Sequence, residues 1–244
     1  FDEEFTANAD YYLSELEAFD NRGPGTLELN PDLDIPDYAR HEIHTQPGGY
    51  VGNPFAGHIY HYSTNNFYTA RKLPNYQDEL HTRLGNQIPA PKDGKVTRIL
   101  DIGCGIGQLA IALKERFPQA EVWGLDAAGP MIRYGHMRAV ELGVDVNFTQ
   151  RMAEDTEFPD NYFDMAASYI LHHELPEEIS RDITTEVHRI LRPSGTFFPI
   201  DFQTGSSKGA RTAYARYRQW KDHRWNAEVW REEYARLDFP QAME

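Results

Sequence analysis

The stretch Arg98-Ile-Leu-Asp-Ile-Gly-Cys-Gly-Ile-Gly107 carries the most explicit chemistry in the chain. An apolar run that ends in closely spaced glycines and then turns helical is a strand-loop-helix unit suited to holding a ligand. Glycines let the backbone come close, and the helix start offers free N–H groups and a partial positive charge. Nineteen residues after Gly107, Asp126 ends the run Glu121-Val-Trp-Gly-Leu-Asp126. A carboxylate at the end of the next strand can accept both hydroxyls of a ribose; Asp also favours helix N-caps, a second reading of the same residue. A dinucleotide fingerprint expects glycine where Gln108 stands, and an acid, Asp101, precedes Gly103 by two positions.

The loop resembles motif I of the class I S-adenosylmethionine (SAM) dependent methyltransferases, of the type that acts on small molecules. Two later segments resemble the same family in the same order: Ala153-Glu154-Asp155-Thr-Glu-Phe-Pro-Asp-Asn-Tyr-Phe-Asp164 and Arg189-Ile-Leu-Arg-Pro-Ser-Gly-Thr-Phe-Phe198. The resemblance covers about residues 96 to 202. It implies SAM as the cofactor, with Gly103, Cys104 and Gly105 beside its methionine part and Asp101 near its ammonium. Asp126 would take the ribose, with Ala127, Met131, Ala153 and Glu154 around the adenine. Many relatives carry Asp before the Ala-Glu pair, where this chain has Met152, which can pack on the ring but cannot accept from its amino group. Cys104 itself reads as a small packing residue. A dehydrogenase using NAD, or a protein that binds SAM without turnover, are the rival readings.

Methyl transfer is an in-line displacement that needs positioning, exclusion of water and, for some acceptors, a base. His172, His173 and Asp201 follow strand-like runs and are the candidate catalytic groups. An imidazole titrates near neutrality, and the competing roles are loop support for the histidines and helix capping for Asp201. Nearer the N-terminus, Tyr50, Tyr60, His61, Tyr62 and Tyr68 form an aromatic set fitted to a pocket wall or lid, since aromatic faces attract a sulfonium and exclude water. His41-x-x-His44 and His58-x-x-His61 invite a metal reading. Pro47, Gly48, Gly49 and Pro54 predict loops there, where sequence spacing says little about geometry, and no metal is assigned.

These groups need a scaffold. Short β-branched runs alternating with amphipathic helical patterns between residues 96 and 202 predict an α/β fold: a Rossmann-like, doubly wound, mostly parallel sheet. Strands are expected at Thr97–Gly103, Glu121–Leu125, Val146–Gln150, Phe163–Tyr169 and Gly195–Phe202. Helices are expected at Gln108–Arg116, from Pro130 to Leu142, and at Pro176–Leu191. Residues 1–95 read as a helical or irregular cap that supplies the substrate pocket, and 96–244 as the core. The family's final strand hairpin is expected to be missing, since 206–238 read as continuous helix. Within it, Tyr214, Tyr217, Trp220, Trp225 and Trp230 read as a buried stripe.

Composition narrows the partners. A formal net charge of −14 disfavours nucleic acid, because phosphate binding draws on clustered Lys and Arg. Lys208, Arg211, Arg216, Arg218, Lys221 and Arg224 are interleaved with Asp222 and Glu228, as on a solvated helix face. No apolar run reaches membrane-span length, and the single cysteine suits a reducing compartment. The expectation is a cytoplasmic enzyme, with a homodimer as a candidate assembly, that methylates a small molecule at a hydroxyl, with nitrogen, carbon or sulfur as alternatives.

Overall fold

The computed structural model describes residues 2–65, 76–202, 204 and 212–237. Six strands form one sheet: β1 (Leu27–Glu28), β2 (Arg98–Ile102), β3 (Glu121–Asp126), β4 (Asn147–Gln150), β5 (Phe163–Tyr169) and β6 (Leu191–Ile200). Their order is β1-β4-β3-β2-β5-β6, and every pairing among them is parallel. The expected α/β doubly wound sheet is present. The chain winds outward from β2 in one direction and then from β5 in the other, so the switch point lies between β2 and β5, where such sheets open a crevice at their carboxyl ends.

Parallel strands buried on both faces read as nearly continuous apolar runs, and neighbours along a strand point to opposite sides. Ile99 packs with Leu109, Leu113, Val122, Ile132 and Phe148 on one face. Leu100 and Ile102 pack with Leu125, Phe163, Ile183 and Ile190 on the other. The covering helices of the core are α6 (Gln108–Arg116), α7 (Gly129–Leu142) and α8 (Glu177–Ile190). α7 carries Pro in its first turn and stops at Gly143, whose φ of 68° is left-handed, as the sequence predicts.

The N-terminal region is more regular than a loop-rich reading allows. It holds α1 (Asp2–Ala7), α2 (Ala9–Glu17), α3 (Gly49–Gly52), α4 (Ala56–Ser63) and α5 (Tyr76–Gln87). α4 lies on α7, and a Cβ at Gly57 would stand 2.3 Å from Tyr134 Cβ, so glycine sets that close approach. This region also contributes β1, which no sequence signal indicated; it joins the edge beside β4, away from β6.

Three expectations need correction. β6 starts at Leu191, directly after α8, and ends at Ile200, with its register interrupted between the Phe163–Leu191 and Met165–Thr196 pairs. The continuous C-terminal helix is instead α9 (Ala213–Trp225) and α10 (Arg231–Arg236), broken at Asn226–Trp230. Within that break Ala227 takes a left-handed φ of 53°. The aromatic stripe on α9 is not buried: Tyr214, Tyr217, Trp220 and Trp225 are all exposed. Their spacing aligns them on the helix, but the face they share lies away from the core. No described helix is long and apolar enough to cross a membrane.

Candidate active site

A cavity of about 190 Å³ opens at the switch point, and all nine residues the sequence assigned to a cofactor line it: Asp101, Gly103, Cys104, Gly105, Asp126, Ala127, Met131, Ala153 and Glu154. Gly105 has a φ of 54°, and the nearest atom to a Cβ built there is Met131 Cε at 3.5 Å. Any side chain at this position would combine a strained backbone with loss of cavity space.

Asp126 ties the loop to the next helix. Its Oδ2 accepts from Gly105 N at 2.8 Å and its Oδ1 from Ala128 N at 2.9 Å. Each oxygen keeps a second lone pair for a ligand hydroxyl. Burial raises the Asp126 carboxyl above its ordinary pKa, against these N–H donors. Asp101 is buried more deeply. Its Oδ2 accepts from Ala110 N at 2.9 Å, while Oδ1 is buried with no hydrogen-bond partner. Burial pushes its carboxyl well above the usual range, with a smaller contribution from Asp126. An orphaned carboxylate oxygen in the wall of a cavity suits a cationic group such as an ammonium. Glu154 accepts a short hydrogen bond from Tyr38 Oη, so its carboxylate is already engaged with the N-terminal region. Met152 lines the same end of the cavity.

The opposite wall comes from distant segments. Tyr50 and Tyr60 line the cavity and meet edge to face at 6.0 Å. Of the other predicted pocket residues, His61 is instead held by Tyr134 Oη at 2.7 Å, and burial lowers its pKa to about 4. Tyr62 is exposed outside the lining, and Tyr68 lies outside the described residues. Here helix phase explains the difference: on α4, Tyr60 faces the cavity while its two successors turn away.

The proposed bases lie behind this wall. His172 and His173 are 0% and 2% exposed and do not line the cavity. Burial lowers His172 to about 4. For His173 burial acts in the same direction, but Asp201 and Glu174 overcome it and hold the imidazolium up to about 10. Its Nδ1 is 2.8 Å from Asp201 Oδ1 and its Nε2 is 3.0 Å from Glu174 Oε1. Asp201 Oδ2 also accepts from the backbone N–H of His172 and His173. The sequence offered the two histidines and Asp201 as separate candidates at the ends of two strands, and the fold packs them together. The geometry makes them a buried clamp that presents Glu174, which does line the cavity.

His41 and His44 also line the cavity, both absent from the predicted pocket set. The two His-x-x-His pairs do not converge. His41 Nδ1 faces Tyr38 O, and His58 packs against Phe5, Tyr12, Phe55 and Tyr134. His44 sits instead between Glu174 and Glu228, with Nε2 3.7 Å from Glu174 Oε1 and Nδ1 3.7 Å from Glu228 Oε1. Asn226 Nδ2 donates to both His44 Nδ1 and Glu228 Oε1 at 2.7 Å, and Asn226 O accepts from His44 N at 2.8 Å. No spacing rule could have found this set, because its members come from three separate parts of the chain.

Comparison with known proteins agrees with the core. Residues 99–195 match a family model described as a methyltransferase domain. The chain is 35% identical over 105 residues to a demethylmenaquinone methyltransferase of Thermus thermophilus, covering 43% of this chain and 47% of the relative. It is 33% identical over 107 residues to a ubiquinone/menaquinone biosynthesis C-methyltransferase UbiE of Paraburkholderia xenovorans, covering 43% of each. It spans about half the length of the curated relatives it matches. Among solved structures, phosphoethanolamine N-methyltransferase 2 of Haemonchus contortus shares the fold: TM-score 0.54, 19% identity, 78% of this chain and 40% of that one. Motif order, strand order and the family match coincide on one segment, and the chain carries a class I SAM-dependent methyltransferase domain.

Proposed function

We propose that this chain binds SAM at the glycine-loop end of the cavity and transfers its methyl group to a hydroxyl-bearing small molecule held under the Tyr50–Tyr60 wall. The observation that carries the reading is the single cavity that joins both ends: Asp101, Gly105 and Asp126 share it with Tyr50, Tyr60, His44 and Glu174. When bound, SAM supplies an electrophilic methyl on a sulfonium. The chain's own groups do the rest. Asp101 Oδ1 receives the ammonium, Asp126 the ribose hydroxyls, and Met131, Ala127, Met152 and Ala153 flank the adenine. Tyr50 and Tyr60 exclude water and present ring faces to the cation. The Asp201–His173–Glu174 clamp fixes the polar corner against which the acceptor's hydroxyl rests.

Transfer to oxygen is the first reading. Transfer to a ring carbon next to a phenolic hydroxyl is the second, and what favours it is that the Paraburkholderia relative is named a C-methyltransferase. Both need the same hydroxyl, which as an oxyanion activates either itself or its neighbouring carbon. The test has two stages. SAM and S-adenosylhomocysteine should raise the melting temperature, and NAD should not; stabilisation by NAD alone overturns the reading. Incubation with SAM and a panel of phenols, enols and quinols should then give a product one methyl heavier, and NMR of that product distinguishes oxygen from carbon.

A further inference from the structure

We propose that His44, Glu174 and Glu228 form a site for one divalent transition-metal ion, of the zinc or manganese type, at the acceptor end of the cavity. One ligand atom from each lies within 4.8 Å of the others. Tetrahedral coordination with bonds of ordinary length places ligand atoms about 3.4 Å apart, so side-chain rotations of a few tenths of an ångström to about an ångström close the set. The donor types fit: imidazole with carboxylates suits zinc and manganese better than an all-oxygen ion such as magnesium.

A second, independent observation points into the same space. Glu228 is 5% exposed, and its Oε2 is buried with no hydrogen-bond partner; Glu174 Oε2 is in the same condition. Arg231 Nε forms an ion pair with Glu228 Oε2 at 3.6 Å without hydrogen-bonding it, so that oxygen's hydrogen-bonding capacity is unfilled. The Glu174 Oε1 contact goes to His173, which is shared with Asp201. Buried Glu228 and partly buried Glu174 therefore converge beside an imidazole, each with one oxygen that no hydrogen bond satisfies, and a cation between them would add to the charge compensation that Arg231 gives Glu228.

What the ion would do rests on the methyl-transfer reading. Binding an acceptor hydroxyl to a divalent ion lowers its pKa. The proton leaves to solvent, the oxygen's electron pair forms the new bond to the methyl carbon, and the methyl–sulfur bond breaks to leave S-adenosylhomocysteine. The site itself is tested without turnover. Protein stripped by chelator dialysis is titrated with Zn²⁺ by calorimetry and with Co²⁺ by visible absorption. One ion per chain is expected, with cobalt bands. His44→Ala, His44→Gln and Glu228→Gln should each weaken Zn²⁺ binding by at least about 100-fold, more than the loss of an outer-shell partner. His188→Ala, at an exposed histidine on α8, should leave it unchanged. Sub-stoichiometric binding, or binding that survives both the His44 and Glu228 changes in folded protein, overturns the proposal. SAM-induced stabilisation, measured on the same stripped protein, reports separately on the methyl-transfer reading.

Discussion

The two ends of the cavity are built by opposite means. At the cofactor end, backbone N–H groups of Gly105 and Ala128 converge on one carboxylate, Asp126, and everything needed comes from β2, β3 and the turns that follow them. At the acceptor end, side chains from residues 38–60, 172–174, 201 and 226–231 hold one another through charge-assisted contacts: His173 with Asp201 and Glu174, and His44 with Glu174 and Glu228. The first end inherits its geometry from the sheet. The second has to be assembled, and its stability resides in a few buried ionic contacts. Substitutions should therefore separate the two ends by what they disturb.

The largest effect is expected at Asp201. Asp201→Asn removes one of the two carboxylates that hold the buried His173 imidazolium, leaving Glu174 alone, so the loss approaches but does not exceed the roughly 3–5 kcal/mol of a fully broken buried pair. Chemical denaturation should show that loss. The pair also predicts a pH dependence. Because His173 is held up to about 10 in the folded chain, the stability it contributes is complete below the ordinary histidine pKa of about 6.5 and disappears as pH rises through about 10. Melting temperature should fall between pH 7 and pH 10.5 in the parent, and less steeply in His173→Gln. A parent curve flat over that range would remove the ionic clamp from the account.

Next in size is Asp126→Ala, at the other end. Lost hydrogen bonds between a charged carboxylate and ribose hydroxyls are worth about 2–3 kcal/mol together, so SAM affinity by calorimetry should fall by about 100-fold. Asp101→Asn should weaken SAM by a smaller factor and also flatten a pH trend. Burial favours the protonated carboxyl in the free chain, whereas an ammonium ligand favours the ionised one. SAM binding to the parent should then release a proton and tighten as pH rises toward the raised Asp101 value. Asp101→Asn should bind without that release, which calorimetry in buffers of different ionisation enthalpy can read.

The same contrast decides what was legible in the sequence. A strand end, a glycine turn and a helix start lie next to one another in the chain, so their residue types encode local backbone geometry, and the nine positions assigned to SAM on sequence all line one cavity. Tyr50 and Tyr60 were legible as aromatic character in a cap. His44 was noticed for the wrong partners, because His-x-x-His spacing presumes a continuous helix and His44 has a left-handed φ of 55° in a short turn. Glu228 was invisible as a site residue: a carboxylate in a stretch that read as solvated helix gives no hint that the break after α9 folds it inward. β1 escaped for a similar reason. Two residues are too few for period-2 alternation to show.

Tyr50→Ala should isolate the acceptor end. Tyr50 meets Tyr60 at 6.0 Å and His44 at 6.2 Å, and losing such aromatic contacts amounts to about 1 kcal/mol beyond area. The acceptor KM should rise about tenfold while the SAM dissociation constant stays within about twofold. A change in SAM affinity as large as the change in KM would mean that the two ends are coupled through the wall.

The smallest effect is expected at Trp220, where the spacing on α9 suggested a buried stripe. Its ring is 49% exposed, and its neighbour on the same face, Tyr217, is 55% exposed. Their rings meet each other at 6.2 Å. Removing a side chain that buries so little changes stability by at most about 0.5 kcal/mol. Trp220→Ser should therefore leave denaturation, SAM affinity and acceptor KM at parent values. A loss above about 1 kcal/mol would show that this face is covered in the folded molecule, and that helical spacing had identified a packing surface which the contacts within the described residues leave unpartnered.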